Sequence, residues 1–298
     1  MHTTLRPWLD LTRAHFAFVW PLLFCAGAVL AWQSYGGFSW ASALVIAGIG
    51  FFGFETGMVL NDYVDRERDT RDINDALTRY WRPFHTRPLA EGHIAPRQAR
   101  YLILGFFLLT VALILTLPAK NALAVGGIML FSYAMEVFYQ LKKRSQRFPV
   151  AQLLGRTDFA LFPAAGYLAA GAPDLTALLI FLFFYPFAEA HLAVNDLADV
   201  VNDRAREMAT VTVLYGERGT AHWILACTAL HVIFASIFLV EAGTITRAGF
   251  VAGFVLLAIA SLRILRSPDP GTALSVLPLV HVTMLVQIVS ILLDAAAA

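Results

Sequence analysis

Asn61-Asp62-Tyr63-Val64-Asp65-Arg66-Glu67-Arg68-Asp69 is followed 134 residues later by Asn195-Asp196-Leu197-Ala198-Asp199-Val200-Val201-Asn202-Asp203, so the pattern N-D-x-x-D-x-x-x-D is written twice. Each copy closes an apolar segment that carries an earlier carboxylate, Glu55 or Glu189, seven residues before the first aspartate of the motif. Residues three and four apart share one helix face. Asn61, Asp65 and Asp69, with Asp62 beside them, therefore form an acidic stripe, and Asn195, Asp199 and Asp203, with Asp196, form a second. Aspartates crowded in this way repel unless divalent cations neutralise them. Mg2+ uses one or two carboxylates per ion, keeps water, and completes its shell with phosphate oxygens. Two facing stripes suit a diphosphate held through magnesium, with all eight motif residues as ligands; the plainer alternative is a pair of solvated helix ends.

The surroundings of the motifs set the fold class. Of 298 residues 58% are hydrophobic and 14% charged, with a mean hydropathy of +0.66, well outside ordinary soluble composition. Apolar runs long enough to span a bilayer lie near 14–33, 42–60, 101–118, 121–140, 151–170, 175–195, 221–240, 246–262 and 272–293. The expected fold is an all-α polytopic membrane protein of nine transmembrane helices around a central cavity. Threading nine spans puts 20 of the 22 basic residues on one face, leaving only Lys120 and Arg247 opposite. Positive charge is retained in the cytoplasm, which places the N-terminus and both motifs there and the C-terminus on the other side. No cleavable leader pattern precedes the first span.

A single membrane domain, 1–298, is expected from two parallel four-helix repeats and a final helix near 272–293. Repeat one covers about 10–141 with a cytoplasmic loop at 61–100; repeat two covers about 147–266 with a loop at 196–219. The 134-residue shift also sets Arg13 on Arg147, while Thr86 and Gly92 match Thr210 and Gly216 at an offset of 124. The first copy thus carries about ten extra residues within Thr70 to His85. The loop 61–100 reads as a lid: the motif continues its helix, turns follow at Arg82-Pro83 and Arg87-Pro88, and a second short helix opens at Ala95-Pro96.

Arg13, Arg87, Lys142, Lys143 and Arg147 fall on the motif face, where they could ring the metal site and take diphosphate oxygens; each could instead be an anchor at the membrane surface. Tyr139, just before Lys142, is either an interfacial residue or a ring that stacks on a cation. Glu55 and Glu189 are expected beneath the metal site facing the cavity, to orient an acceptor hydroxyl or remove its proton, or else to bond a neighbouring helix. His231 and His281 read as packing residues, and Asp158 as an ion-pair partner of Arg156. Cys25 and Cys227 lie in apolar spans with no metal or disulfide spacing. Basic residues interleaved with carboxylates argue against nucleic-acid binding. There is no P-loop, dinucleotide fingerprint or H-E-x-x-H. No pattern sets an oligomeric state.

The chain resembles the UbiA family of intramembrane prenyltransferases. The resemblance rests on the two aspartate motifs, Arg87-Pro88-Leu89-x-x-Gly92, the Tyr139-x-x-Lys142 region and the Arg13 that opens span one. It implies transfer of a prenyl group from an isoprenyl diphosphate to a lipophilic acceptor, aromatic by expectation, with Mg2+ as cofactor and membrane lipids as surroundings. Two departures stand out. The stretch between Asp69 and Arg87 is longer than the family pattern, and where the family has a lysine and a Leu-Pro pair this chain reads Arg204-Ala205-Arg206, so Arg204 or Arg206 is expected to supply the phosphate contact. Alternatives are a terpene cyclase that needs only the diphosphate, and a carrier of anionic lipids or ions.

Overall fold

A backbone surrounded by hydrocarbon has no water to bond, so each apolar run closes its hydrogen bonds as a helix. The computed structural model describes residues 5–297 and contains no strand among them; residues 1–4 and 298, the outermost positions of the expected domain, lie outside the described residues. In chain order the helices are α1 (Arg6–Leu11), α2 (Val19–Tyr35), α3 (Trp40–Asp69), α4 (Ala76–Trp81), α5 (Pro96–Ile114), α6 (Ala119–Lys142) and α7 (Val150–Gly155). They continue as α8 (Thr157–Ala170), α9 (Leu175–Ala198), α10 (Val200–Ala205), α11 (Val211–Phe238), α12 (Thr244–Arg266) and α13 (Pro270–Ala297).

Seven of these, α3, α5, α6, α9, α11, α12 and α13, are long and apolar enough to cross a membrane, and α2 is a shorter apolar helix. Large apolar side chains such as Leu108, Leu123, Ile233 and Val255 stand exposed on the outer faces, as an integral membrane protein requires of surfaces that meet lipid. Local signals start the helices. Ser39 caps α3 by accepting from the Ser42 backbone N–H at 3.1 Å. Asp174 caps α9 and also accepts the Tyr35 and Tyr167 hydroxyls at 2.7 and 2.6 Å, which pins three helices at one end of the bundle.

Helices α2, α3, α6, α8, α9 and α13 contact one another in a ring, with α5 against α3 and with α11 and α12 against α9 and α13. Across the ring α2 and α8 pass at backbone contact. A Cβ at Gly27 would enter the Pro163 carbonyl, and one at Gly166 would enter the Phe24 carbonyl, so only glycine allows this crossing. The crossing floors a cavity of about 250 Å3 bounded by the motif ends of α3 and α9 and by α4.

Two local expectations are corrected. The helix opened by Pro96 is not a separate short helix but the first turn of α5, because Pro at the first position and Gln98 accepting from the Ala95 N–H start a helix that then has no reason to stop. The second acidic stripe is not one continuous helix: α9 ends at Ala198, Asp199 adopts φ −102° and ψ 7°, and α10 resumes at Val200.

Candidate active site

The first motif stays on α3 to its last residue, and the cavity-facing side of that helix carries Asn61, Asp62, Asp65 and Asp69. Opposite them stand Asn195 and Asp196 on α9, Asp199 at the break and Asp203 on α10. All six aspartates are at least nine-tenths buried, so their charges need partners. In the first motif each has two: Asp62 pairs with Arg13 at 3.0 Å and Arg82 at 2.7 Å, and Asp65 with Lys143 at 2.7 Å and Arg144 at 3.0 Å. Asp69 pairs with Arg87 at 2.8 Å and Arg206 at 3.6 Å.

The second motif is poorer in cations. Asp199 meets Arg206 at 3.3 Å and accepts from Asn202 at 2.7 Å, whereas among the described residues Asp203 accepts only the Thr210 hydroxyl at 2.9 Å, and Asp196 accepts the Val211 N–H at 3.2 Å and Gln152 at 3.5 Å. Burial, with Asp196 and Asp199 close by, pushes the Asp203 carboxyl well above its ordinary range. The reverse holds for the basic residues between the motifs. Burial opposes the charges of Arg87 and Arg206, yet Asp69 and its acidic neighbours outweigh it and hold both guanidiniums above the ordinary arginine value. Buried carboxylates short of cations, facing others that basic side chains hold in place, form a hard-oxygen donor set with room for divalent metal. The hard-oxygen chemistry of the two motifs suits Mg2+, although among the described residues no three carboxylates stand close enough together to hold an ion as they are.

The segment after Asp69 adds Leu77, Thr78, Trp81 and Arg82 to the cavity wall. Asp10 of α1 is buried and accepts from the Phe84 N–H at 2.7 Å, the Thr86 N–H at 2.9 Å and the Thr86 hydroxyl at 2.6 Å. Arg82 ties that anchor to the motif, donating to the Asp10 carbonyl at 2.9 Å as well as to Asp62. At the end of α4 the Trp81 indole N–H donates to Asn195 Oδ1 at 3.0 Å, and the Tyr80 hydroxyl lies 2.5 Å from His281 Nδ1, which continues through His281 Nε2 to His191 Nε2 at 2.9 Å.

The sequence profile of the UbiA prenyltransferase family matches residues 19–284. The chain belongs to this family. It is 32% identical over 165 residues to the digeranylgeranylglyceryl phosphate synthase of Natronomonas pharaonis, covering 54% of this chain and 53% of that protein. It is 28% identical over 202 residues to the 4-hydroxybenzoate octaprenyltransferase of Aeromonas salmonicida, covering 66% of this chain and 62% of the relative. The chain thus spans about half the length of the first curated relatives it matches. In fold it is similar to a UbiA homolog from Aeropyrum pernix K1, with TM-score 0.70, 19% identity and coverage of 92% and 98% of the two chains. A UbiA homolog from Archaeoglobus fulgidus bound to GPP and Mg2+ superposes with TM-score 0.65 at 17% identity, covering 97% and 99%.

Within this UbiA-family cavity the structure gathers Arg13, Asn61, Arg87, Tyr139, Lys143 and Asn195 together with the six motif aspartates. Five expected site residues are elsewhere. Lys142 is half-buried, Arg147 and Arg204 are exposed, and none of the three lines the cavity. Arg144 joins Asp65 instead, and the break at Asp199 turns Arg206 inward. Glu55 and Glu189 are buried but do not line the cavity either, a correction to their expected placement. Glu55 lies two turns below Asp62, the aspartate at the Arg13 rim, and the same stripe carries it to Trp20 of α2; Glu189 likewise turns toward Tyr185 and Trp223. Among the described residues neither oxygen of either carboxyl has a hydrogen-bond partner. Asn195 lines the cavity with its carbonyl oxygen accepting the Trp81 N–H, which uses one of that oxygen's two lone pairs.

Residues outside the expected metal and diphosphate set complete the wall: Arg82 and Trp81 from the stretch after Asp69, and two ionisable groups that the sequence places within apolar spans, Glu136 of α6, which accepts from Asn61 and Gln140 at 2.6 Å each, and His191 of α9. Arg82 stands in an Arg-Pro pair that mirrors Arg87-Pro88, and that repetition was the readable signal.

Proposed function

We propose that this protein transfers an isoprenyl group from an isoprenyl diphosphate to a lipophilic acceptor with the help of Mg2+. One observation carries the reading: both aspartate motifs and a set of arginine and lysine side chains line one cavity that continues into aromatic walls. The titles and names of its relatives point the same way, namely the Archaeoglobus homolog with GPP and Mg2+ and the prenyl transferases of Natronomonas and Aeromonas.

Asp65, Asp69, Asp196, Asp199 and Asp203 would hold the metal, whose chemistry when bound is to neutralise the diphosphate and favour its departure. Arg13, Arg87, Lys143 and Arg206 take oxygens of the leaving diphosphate as its charge grows. Trp20, Phe54, Phe159 and Phe162 line the cavity below, where they exclude water from an allylic cation until the acceptor captures it. Tyr139, its ring 4.7 Å from Lys143 Nζ, would help hold that ammonium at the diphosphate site.

The topology belongs to the same proposal. Nine crossings follow if α2 and the broken pair α7 and α8 span together with the seven long helices, and the clustering of basic residues supports a cytoplasmic side for α1, the lid and both motifs. A duplicated four-helix origin is supported by Gly92 and Gly216, matched in sequence, which take φ values of 73° and 72°.

The test is diphosphate release from geranylgeranyl diphosphate by purified protein. Release should require Mg2+, and Asp65→Ala and Asp199→Ala should each lower it roughly 100- to 1000-fold while the protein still inserts and folds. Full activity in both variants sinks the assignment.

A further inference from the structure

Behind the cavity wall, residues 72–74 of the segment that follows α3 are fastened to the second motif by one side chain. Asn202, in the first turn of α10 and 1% exposed, accepts the Ile73 and Asn74 backbone N–H groups on Oδ1 at 3.0 and 2.9 Å. Its amide nitrogen donates to the Asn74 carbonyl at 2.8 Å and to Asp199 Oδ1 at 2.7 Å. An asparagine side chain has two acceptor and two donor positions, and here all four are filled. The amide cannot be turned end for end, because two N–H groups face its oxygen and two oxygens face its nitrogen. Neither Asn202 nor residues 72–74 line the cavity.

Asp72 makes a second fastening at the same place. Its carboxylate meets Arg87 Nε at 2.7 Å through one oxygen, and Nε and Nη2 of Arg206 through the other. The same guanidiniums reach forward to the motifs, Arg87 to Asp69 at 2.8 Å and Arg206 to Asp199 at 3.3 Å. Two guanidiniums set side by side repel, and a carboxylate between them holds them together. Arg87 and Arg206 line the cavity and Asp72 does not, so it grips them from behind. Ile73, between the two fastenings, is 73% exposed, so these polar contacts and not apolar burial order the segment.

We propose that Asn202 and Asp72 are positioning residues: they couple the order of segment 72–74 to the orientation of Asp199, Arg87 and Arg206, and through these three to diphosphate binding. The inference rests on the prenyl-transfer reading, in which those three side chains meet the metal and the leaving diphosphate. A guanidinium held at one edge meets an anion at the other with fewer orientations left to lose. Reciprocity follows. If the fastened segment raises the affinity for diphosphate by some factor, bound diphosphate must stabilise the fastened segment by the same factor.

Full-length protein in nanodiscs is titrated with inorganic pyrophosphate plus Mg2+, and backbone amide exchange is followed over residues 70–76 with and without that pair. In wild type, saturation should slow exchange at Ile73 and Asn74 about tenfold and leave the amides of α12 unchanged. Asn202→Ala should speed exchange at both amides, make it insensitive to pyrophosphate, and weaken pyrophosphate about tenfold, the factor that reciprocity demands. Asp72→Asn removes the charge, keeps the shape, and should weaken binding as well. Unchanged exchange in α12 reports that both variants are folded, and the wild-type comparison stands even where a variant is not. Three results would each overturn the coupling: pyrophosphate that binds wild type but leaves Ile73 and Asn74 exchanging as before, full affinity in a folded Asn202→Ala, or tighter binding in Asp72→Asn, which would make Asp72 a competing anion. Wild type that fails to bind pyrophosphate with Mg2+ would bring down the prenyl-transfer reading first, and the coupling with it.

Discussion

Asp62 and Asp203 have the same residue type and depth but opposite surroundings, two guanidiniums around the first and a threonine hydroxyl beside the second. Asp62 therefore depends on Arg82. Arg82→Ala should destabilise the protein by about 3 kcal/mol, the scale of breaking a buried ion pair, and thermal unfolding in detergent would measure it. Between the two arginines of the second loop, Arg206→Gln should weaken geranyl diphosphate binding about tenfold, as loss of a charge-assisted contact does, and Arg204→Gln should leave it unchanged. At this scale the sequence was most readable where chemistry repeats. The aspartates, Arg13, Arg87 and Lys143 were legible from duplication and charge, whereas Arg204 and Arg206 differ only in which way a two-residue step points, and that depends on the backbone break at Asp199. Glu55 and Glu189 were misplaced for a related reason: a stripe on one helix says which residues share a face, not where the cavity stops along it.

Among the elements, α4 lies in the stretch between Asp69 and Arg87, and it is held by few bonds. The Trp81–Asn195 hydrogen bond is its link to the second motif. Trp81→Phe keeps the ring and removes the N–H, so amides of 76–81 should exchange roughly fivefold faster, as expected for about 1 kcal/mol, and an unchanged exchange rate would show that the clasp lies elsewhere. The long apolar helices could be placed from composition because hydrocarbon permits one backbone solution. The short ones could not: Ala76–Trp81 has no apolar run of its own and exists because Tyr80 and Trp81 pack on Phe16 and His281 from distant parts of the chain.

For the molecule as a whole, the floor of the cavity and the loading of the cluster are separate matters. The α2–α8 crossing is a packing requirement, so Gly166→Leu should force the helices apart and lower the unfolding temperature markedly, by the several degrees that 1–3 kcal/mol of overpacking implies. Metal is not such a requirement, because the first motif is already neutralised by its own basic partners. Chelators should leave thermal unfolding unchanged, and Mg2+ with inorganic pyrophosphate should raise it, by up to about 2.7 kcal/mol at a hundredfold excess over Kd. Unfolding on chelation would contradict this electrostatic arrangement.

Asp10 lies 52 positions from the first motif aspartate in the chain, yet it grips the segment that covers the cluster. The leading helix is thus a tether for the active-site cover and not an inert tail. Tags, trimming or surface immobilisation that strain residues 5–11 would free Phe84 and Thr86 from the carboxylate that holds them and let water reach the aspartate cluster.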